Sequence, residues 1–395
     1  MAAMAISADI VVVGLGAVGS AALYQSAKLG ARVIGLDRFS PPHDRGSSHG
    51  ETRITRQGIG EGREFVPLVL RSNQIWEELE AATGNRLLTR NGGLILASPG
   101  VGGSHHGSTS FLQDTIDAAK AFDVPYRQLD TQGIKGMFPQ FQVRNEEAYF
   151  EPGAGFLRPE ACVETQLGQA RRRGARVLSW EAVGEVKPTR GGVEIKTDKG
   201  SYSAAKVIVA AGPWIAKFLP RELAGNFRIY RQTQCWFALE RNQELYSPER
   251  FPVFIWITGN RVQEMLYGFP AIDGPGGGLK VATERYENTV DPDAVSRDVP
   301  EASLDEMYGN DIAPRLPDVG KRCLRSTTCL YTVTPDAKFV IDCVDTNLLF
   351  ASACSGHGFK HSPAVGEALA QRALGLPVTL DLSAFAMKRL KSQPG

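Results

Sequence analysis

The sequence predicts an α/β protein in which a domain with a parallel, helix-covered sheet is interleaved with a second domain that contains an antiparallel sheet. Three observations predict this fold class. A continuous apolar strand runs into a glycine-rich turn near the N-terminus, another apolar strand that ends in glycine follows much later, and strand-like segments separated by glycine- and proline-rich turns fill much of the remainder. The 395 residues suffice for about two domains of ordinary size.

Composition and charge exclude several classes of function. The formal net charge is +1, so no overall electrostatic field would attract nucleic acid or an anionic membrane. No apolar run approaches the roughly 18 residues of a membrane span, and the N-terminus lacks the basic and apolar segments of a secretory signal. The six cysteines lack CxxC spacing, which argues against a zinc site or a disulfide framework. We therefore expect a cytoplasmic protein without a bound metal.

A dinucleotide-binding fingerprint follows the first predicted strand. Residues 10–13 are continuously apolar, as in a strand buried on both faces of a parallel sheet, and they lead into Gly14, Gly16 and Gly19. Such glycines allow a tight turn, a close approach of the backbone to pyrophosphate, and packing of the next helix against the strand. Residues 17–29 predict that helix, whose N-terminus would face the pyrophosphate.

An acidic residue ends the second predicted strand. The strand covers residues 32–36 and Asp37 follows it, at the spacing of about 20 residues from the fingerprint that suits hydrogen bonds to ribose hydroxyls. The strand, turn, helix, strand and acid together predict a Rossmann-type domain. Asp37 favours an unphosphorylated ribose, hence FAD or NAD rather than NADP.

A strand later in the sequence favours FAD over NAD. Residues 207–211 are apolar and end at Gly212, and their small side chains would let the backbone pass close to a bound dinucleotide. They follow strand-like segments around residues 193–202, so the nucleotide fold is interrupted by a meander before it resumes. This organisation is typical of FAD-dependent oxidases, whereas a plain NAD dehydrogenase would complete its sheet sooner.

The predicted domains are therefore discontinuous. Residues 1–85, 150–220 and 320–395 are assigned to the FAD-binding domain, and residues 86–149 and 221–319 to a substrate domain. The predicted strands of the substrate domain include residues 231–239, 253–258 and 265–269. In the same domain, residues 99–110 predict a flexible loop, whose His105 and His106 we expect to be exposed rather than to bind metal.

Further motifs carry a resemblance that covers nearly the whole chain. They are PPHDRGSSHGETRITRQGIGEGREFVPLVLRSNQIWEEL at 41–79, CLYTVTPD at 329–336 and SGHGFKHSPAVGEAL at 355–369. With the N-terminal fingerprint, these motifs resemble the monomeric sarcosine oxidase family, which includes N-methyltryptophan and pipecolate oxidases and has fructosyl amino acid oxidases as more distant relatives. The resemblance implies a monomer with covalently bound FAD. It also implies oxidation of a secondary amine to an imine, hydrolysed to amine and aldehyde, with O2 reduced to H2O2.

The resemblance assigns Cys329 as the residue whose sulfur is joined to the 8α-methyl group of the flavin. The alternative is a small buried side chain in a strand, which is the usual fate of a free cysteine. The other cysteines match no family cysteine. The remaining FAD contacts that we expect are Gly14, Gly16, Gly19, Asp37, Arg38, Ser47, Ser48, His49, Gly212, Gly356, Gly358, Phe359 and Lys360.

Two arginines and a lysine match the family's substrate site. Arg56 and Lys360 match the pair that holds the substrate carboxylate, for which a bidentate guanidinium is the natural partner. Arg53 matches the arginine near the flavin and the substrate amine. The alternative for both arginines is a surface salt bridge with Glu51 or Glu61.

Four more residues match the family's active site. Lys280 matches the lysine that activates oxygen, where a cation would stabilise developing superoxide. Tyr267 and Tyr331 match tyrosines that line the substrate cavity, and His357 matches an active-site histidine. Each residue could instead have a purely structural role. Lys280 could be a surface lysine, the two tyrosines could belong to the core, and His357 could be a packed histidine. A helix is predicted from residue 364 onward, with its N-terminus towards the flavin.

Departures from the sarcosine oxidase pattern bear on the substrate. Glu284 stands four residues after Lys280, where sarcosine oxidases have histidine. A glutamate at this position instead resembles the fructosyl amino acid oxidases. If residues 280–284 form a strand, the side chains of Lys280 and Glu284 share a face. Ile255 replaces a methionine beside Trp256, and His361 replaces an apolar residue. The alternatives are therefore a fructosyl amino acid oxidase, a flavin amine dehydrogenase with another electron acceptor, or a flavin- or NAD-binding protein without catalysis.

Overall fold

The computed structural model describes residues 6–101, 106, 108–261 and 263–392, which two large sheets and one small sheet organise. The strands are β1 (Ile6–Val13), β2 (Val33–Leu36), β3 (Arg53–Thr55), β4 (Leu88–Thr89), β5 (Gly93–Ala97), β6 (Arg127–Leu129), β7 (Glu147–Glu151), β8 (Gly155–Leu157), β9 (Arg176–Leu178), β10 (Val183–Thr189), β11 (Gly192–Thr197), β12 (Ser201–Val209), β13 (Arg228–Leu239), β14 (Val253–Ile257), β15 (Met265–Gly268), β16 (Leu279–Ala282), β17 (Val319–Val333), β18 (Val340–Asp345) and β19 (Leu348–Ser352). The α-helices are α1 (Ala17–Lys28), α2 (Val66–Thr83), α3 (Phe111–Ala121), α4 (Thr131–Met137), α5 (Pro159–Arg172), α6 (Arg221–Ala224), α7 (Glu301–Met307) and α8 (Ser362–Ala373).

The first large sheet is the parallel sheet that the sequence predicts. Strands β19, β12, β1, β2 and β9 run parallel, while β10, β11 and β18 join it by antiparallel pairing. Ile10 and Val12 of β1 are buried against helices on one face, and Val11 and Val13 are buried on the other. This double burial explains the continuous apolar run. The α/β fold class is confirmed, although β1 begins at Ile6 rather than at residue 10.

Close packing of α1 and α8 brings the starts of both helices to the same region. Gly366 of α8 lies against α1, where an added Cβ would be only 2.4 Å from Ala21 Cβ. Only glycine fits this crossing, so the two helices are held at a short separation. Within the described part of the chain, no helix has the length and apolarity needed to cross a membrane.

The second large sheet has the strand order β17-β13-β16-β15-β14-β5-β7-β6. Its pairs are antiparallel except for β14 with β5. The sequence placed residues 320–395 in the first domain, but β17 lies in the second sheet because it pairs with β13 along most of its length. The strand that carries Cys329 therefore belongs to the second sheet, and the exact domain boundaries stay predictions.

Residues 46–56 run between the two large sheets and end in β3 of the small sheet. The Ser47 hydroxyl donates to the carbonyl of Leu330 in β17. On the other side, the amide of Ala17 at the start of α1 donates to Ser48 Oγ at 3.0 Å. This segment therefore ties the first sheet's leading helix to the edge strand of the second sheet.

Candidate active site

The glycine fingerprint forms one wall of a cavity of about 370 Å³ at the start of α1. Gly14 has φ +84°, and an added Cβ would be 2.6 Å from the carbonyl oxygen of Ala210. Gly19 packs the helix on the turn, since a Cβ there would be 1.7 Å from Gly14 O. Gly14 and Gly16 line the cavity and Gly19 does not, which matches the separate tasks of these glycines in dinucleotide binding.

The acid that ends β2 lies in the same cavity. Asp37 is buried, and its carboxylate accepts hydrogen bonds from the amides of Leu15 at 2.7 Å and Phe39 at 2.8 Å. Each carboxylate oxygen keeps lone-pair capacity for ribose hydroxyls. Arg38 and Gly212 also line this cavity, and Gly212 has φ +53°. Three features together fit the adenosine diphosphate part of FAD. They are the glycine turn without room for side chains, the N-terminus of α1, and the Asp37 carboxylate that is available to the ribose.

A second cavity, of about 110 Å³, adjoins the first. Residues Ala17, Ser47, Ser48, Ala353 and Cys354 line both cavities, so they mark the junction. The predicted site residues that line the second cavity are Arg53, Arg56, Ile255, Tyr267, Glu284, Tyr331, Gly356, His357, Gly358, Phe359 and Lys360. The structure thus brings together residues that are more than 300 positions apart in the sequence.

A buried cationic pair forms one end of the second cavity. The Arg56 guanidinium binds both carboxylate oxygens of Glu61, at 2.7 and 2.6 Å, and donates to the carbonyl of Gly58. Lys360 Nζ lies 3.8 Å from the same carboxylate and donates to the carbonyl of His357 at 2.8 Å. The alternative of an Arg56–Glu61 pair is therefore present, but it is buried at the cavity wall rather than on the surface.

The charges at this end compensate one another. Burial alone would raise the pKa of Glu61, but Arg56 and Lys360 hold it well below its usual value, so the carboxylate is ionised. Burial lowers the pKa of Lys360 to about 7, against the opposing effect of Glu61. When Lys360 is protonated, Arg56 and Lys360 exceed Glu61 by one positive charge, which suits an additional anionic group.

His357 and His361 lie behind the cationic pair. The His357 ring stacks on Phe339 with centroids 4.8 Å apart, and its Nε2 is 3.3 Å from the carbonyl oxygen of Ala337. Burial holds the pKa of both histidines well below the usual value, so both are neutral. His361 is fully buried beside Phe65 and does not line the second cavity, and its two ring nitrogens have no hydrogen-bond partner among the described residues.

Glu284 contributes an acidic side chain to the second cavity. Its carboxylate accepts a hydrogen bond from the Tyr286 hydroxyl at 2.5 Å and lies 3.3 Å from His106 Nε2. His106 was expected to be exposed, but it is buried and lines the second cavity. Gly356, with φ +83°, makes room for it, because an added Cβ would be 2.3 Å from His106 Cε1. His105 lies outside the described residues.

Two tyrosines line the second cavity next to each other. The hydroxyls of Tyr267 and Tyr331 are 3.3 Å apart, and burial raises the pKa of both, so both are neutral phenols. Ile255 lies on the same wall. The prediction for Trp256 is wrong, because successive side chains of a strand point to opposite faces and Trp256 packs against Phe141 in the core on the far side of the sheet.

Lys280 is buried next to the site but does not line the second cavity. Its Nζ donates to the carbonyls of Gly50 at 2.5 Å and Thr52 at 2.9 Å, and burial, with Arg53 nearby, holds its pKa well below the usual value. A shared strand face for Lys280 and Glu284 required a strand through residue 284, and this condition is not met. Strand β16 ends at residue 282, and only Glu284 faces the cavity.

Arg53 and Cys329 lie side by side beneath the junction of the two cavities. Arg53 Nη2 is 3.0 Å from the carbonyl oxygen of Ser47 and 3.5 Å from Cys329 Sγ. Cys329 is fully buried and lines neither cavity, whereas Cys354 lines both. His49 is also buried, which lowers its pKa to about 3, and it lines neither cavity, so its expected role as a direct cofactor contact finds no support in the geometry.

The site also contains residues to which sequence reasoning assigned no role in it. Glu61 was considered only as a surface partner of arginine, and His106 and Tyr286 complete the acidic wall around Glu284. Cys354 occupies the junction of the cavities. Their proximity to the motifs was the only available signal, since Cys354 precedes SGHGFK and Glu61 follows TRITR within the same stretch.

Comparisons with known proteins agree with these features. A family model described as FAD dependent oxidoreductase matches residues 9–372. The chain is 36% identical to a monomeric sarcosine oxidase of Streptomyces avermitilis over 98% of each chain. It is 34% identical to an N-methyl-L-tryptophan oxidase of Yersinia pestis, covering 97% of this chain and 99% of the relative.

Solved structures share the fold over almost the whole chain. NikD, an unusual amino acid oxidase essential for nikkomycin biosynthesis, has a TM-score of 0.83 and 25% identity, with 96% of this chain and 97% of NikD covered. Amadoriase I from Aspergillus fumigatus, a fructosyl amine:oxygen oxidoreductase, has a TM-score of 0.73 and 17% identity, covering 98% and 90%. At that identity the second likeness concerns the fold alone.

Proposed function

Because the chain belongs to the FAD dependent oxidoreductase family, we propose that it oxidises a small secondary amine, an N-methyl or other N-alkyl or cyclic amino acid, to an imine. The imine is hydrolysed to amine and aldehyde, and O2 is reduced to H2O2. Bound FAD supplies the acceptor for a hydride equivalent from the carbon beside the amine nitrogen and passes the electrons to oxygen. The observation that carries the proposal is the buried pair of Arg56 and Lys360 on the wall of a small cavity next to the dinucleotide cavity.

Arg56 and Lys360 bind the carboxylate of the substrate in this proposal. Charge-assisted and bidentate hydrogen bonds are the strong ones, and a buried guanidinium provides both. Glu61 now holds this position against Arg56, at 2.6 Å, so the incoming carboxylate shares or replaces that contact. The neighbouring Tyr267 and Tyr331 are neutral, and the fixed charge of Arg53 disfavours a second cation. Although Glu284 also lines the cavity, we propose that the amine binds beside Arg53 in its neutral form, which needs no dedicated base.

The size of the second cavity favours a small substrate. An engineered cavity of about 150 Å³ holds benzene, with about six non-hydrogen atoms. The second cavity, at about 110 Å³, is smaller, and sarcosine is of that size. Fructosyl glycine and N-methyltryptophan, with roughly 16 non-hydrogen atoms each against about six in sarcosine, exceed this space.

We therefore expect peroxide formation with sarcosine and N-methylalanine and at least about tenfold lower kcat/KM with fructosyl glycine and N-methyltryptophan, since misfit of a substrate group in its pocket costs about 1–3 kcal/mol. A peroxide assay over these amines and pipecolate tests the proposal.

A clear preference for fructosyl glycine would instead support the second candidate, a fructosyl amino acid oxidase. The side chains of Glu284, Tyr286 and His106 favour this candidate because they offer polar partners to a sugar. Bleaching of the flavin by the amine without rapid peroxide formation would point to a dehydrogenase. No bleaching with any amine would point to a non-catalytic binding protein.

Covalent attachment of FAD at Cys329 is a further part of the proposal. We expect Cys329→Ser to release its yellow flavin into the supernatant when the protein is precipitated with acid, whereas the parent protein retains it, because serine offers no sulfur for the thioether. Cys354→Ser is the matched control, since Cys354 lines both cavities and is the other thiol near the junction. Flavin that stays with precipitated Cys329→Ser but leaves with Cys354→Ser would transfer the attachment to Cys354.

We also propose that the protein acts as a monomer in the cytoplasm. Relatives named monomeric sarcosine oxidase support the monomeric state, and the chain covers almost their full length.

A further inference from the structure

The segment between β16 and α7 contains no helix or strand. It passes near both cavities. We call residues 287–299 of this segment the strap. Backbone atoms of the strap are bonded to β13, through a bridge between Thr289 and Tyr230 and through hydrogen bonds from Arg231 to the carbonyls of Ser296 and Asp298. Two of its side chains attach it further, one at the mouth of the dinucleotide cavity and one beside the residues that lead to Cys329.

Asp293 makes the first attachment. Its carboxylate accepts hydrogen bonds from the Trp214 indole at 2.8 Å and from Lys217 Nζ at 2.5 Å, and it is paired with the Arg38 guanidinium. The Arg38 guanidinium also lies 5.9 Å from the centroid of the Trp214 ring. All four side chains line the dinucleotide cavity, although they come from three distant parts of the chain.

Arg297 makes the second attachment. Its guanidinium donates to the carbonyl of Arg45 at 2.7 Å and reaches the carbonyl of Thr328 at 3.5 Å. The Thr328 hydroxyl donates back to the Arg297 carbonyl at 3.0 Å. Arg45 precedes the segment that lines both cavities, and Thr328 precedes Cys329 in β17. The strap therefore spans from the rim of the dinucleotide cavity to the strand of Cys329.

The position of Asp293 relative to the fingerprint decides between two roles. As an anion it could compete with the pyrophosphate of the cofactor for Arg38 and Lys217. However, the pyrophosphate is expected at the N-terminus of α1 beside Gly14, and the ribose at Asp37. Arg38 is the residue next to Asp37 and lines the same cavity, so we assign the Asp293 cluster to the adenosine end rather than to the pyrophosphate.

We infer that Asp293 is a cofactor-retaining residue: its contacts to Arg38, Lys217 and Trp214 hold the strap closed over the adenosine end of FAD, and these contacts must open for FAD to enter or leave. Arg38 and Lys217 exceed Asp293 by one positive charge, so the closed cluster still attracts the dinucleotide. The inference rests on FAD binding and does not depend on which amine is oxidised.

The test measures FAD release from the full-length Cys329→Ser protein, in which the flavin is held without a covalent bond. Released flavin regains its fluorescence after dilution. We expect Asp293→Asn to accelerate release at least tenfold, because an amide retains hydrogen bonds but loses both ion pairs. Asp298→Asn is the matched control in the same strap, since no contact of the Asp298 side chain is found among the described residues, and release should stay within twofold. Release at an unchanged or slower rate in Asp293→Asn would overturn the inference, and slower release would identify Asp293 as a competitor of the cofactor.

A second measurement covers the case in which Cys329→Ser keeps its flavin covalently or does not fold. Hydrogen exchange of residues 287–299 is followed in the loaded parent enzyme and in its Asp293→Asn variant. We expect at least tenfold faster exchange in the strap and no change in the strands of the first sheet. Equal exchange in both proteins would also overturn the inference. Amine oxidation is not measured in either experiment, so failure of the proposed substrate cannot be mistaken for failure of the strap.

Discussion

Replacing Lys280 with methionine is expected to lower the rate of reaction with oxygen at least about 100-fold, while reduction of the enzyme by its amine without oxygen changes by no more than about twofold. The first electron that reaches oxygen creates an anion, and loss of one preorganised positive partner costs about 3 kcal/mol in a water-excluded site. Lys280 is the residue assigned to this task, and its buried Nζ lies 4.7 Å from the Phe269 ring centroid and donates to the carbonyls of Gly50 and Thr52. Stopped-flow measurement of the two half-reactions separates the effects.

The controls for this prediction follow from the position of Lys280. Burial holds its pKa well below the usual value, so a negative charge nearby is needed to keep the ammonium form. Lys280→Arg keeps the charge at any pH and should retain most oxygen reactivity. Arg53 lies closer to the second cavity, which it lines. If Lys280→Met reacts with oxygen at the parental rate while Arg53→Met does not, the role belongs to Arg53.

The sequence predicted well those features that depend on local patterns. Strand β1, the glycine turn, α1 and β2 follow one another within a short stretch, and Asp37 lies in the cavity lined by Gly14. Apolar periodicity and glycine spacing are read from neighbouring residues, so they need no knowledge of the tertiary fold. The FAD-binding architecture was therefore available before any coordinates.

Features that depend on pairing between distant segments were not predictable in the same way. The pairing of β17 with β13 in the second sheet was not predicted, because the two strands are remote in sequence. Burial of Glu61 and His106 depends on Lys360 and Gly356 approaching from the C-terminal part of the chain. Sequence patterns report the polarity of a side chain, but they do not report which distant charge accompanies it into the interior.

Two other points depend on local geometry alone. Ile255 and Trp256 are adjacent in a strand, so only one of them can face a given cavity, and Ile255 does. For Lys280 and Glu284, a shared face depended on a strand that reaches residue 284, but β16 ends at residue 282. An estimate of where a strand ends is thus as important for the active site as the strand itself.

Arg56→Met is expected to lower the free energy of unfolding by about 3–5 kcal/mol and kcat/KM for the amine by at least about 100-fold, because both Glu61 and the substrate carboxylate lose their guanidinium partner. Arg56 is 4% exposed and binds Glu61 through both carboxylate oxygens, so removal leaves a buried charge with only Lys360, 3.8 Å away, to compensate it. Urea unfolding and steady-state kinetics with sarcosine measure the two losses separately, and most of the kinetic loss should lie in KM.

The double variant Arg56→Met/Glu61→Gln distinguishes a binding role of Arg56 from a structural one. It removes the stranded charge, so the free energy of unfolding should recover most of its loss, while KM stays high because no guanidinium remains for the substrate. Recovery of KM together with stability would show that Arg56 acts only by balancing Glu61.

The single variant Glu61→Gln tests whether Glu61 competes with the substrate carboxylate for Arg56. If the substrate carboxylate takes the place of Glu61 between Arg56 and Lys360, this variant binds sarcosine more tightly than the parent although it is less stable, whereas weaker binding would mean that Glu61 orients Arg56 for the substrate rather than competing with it.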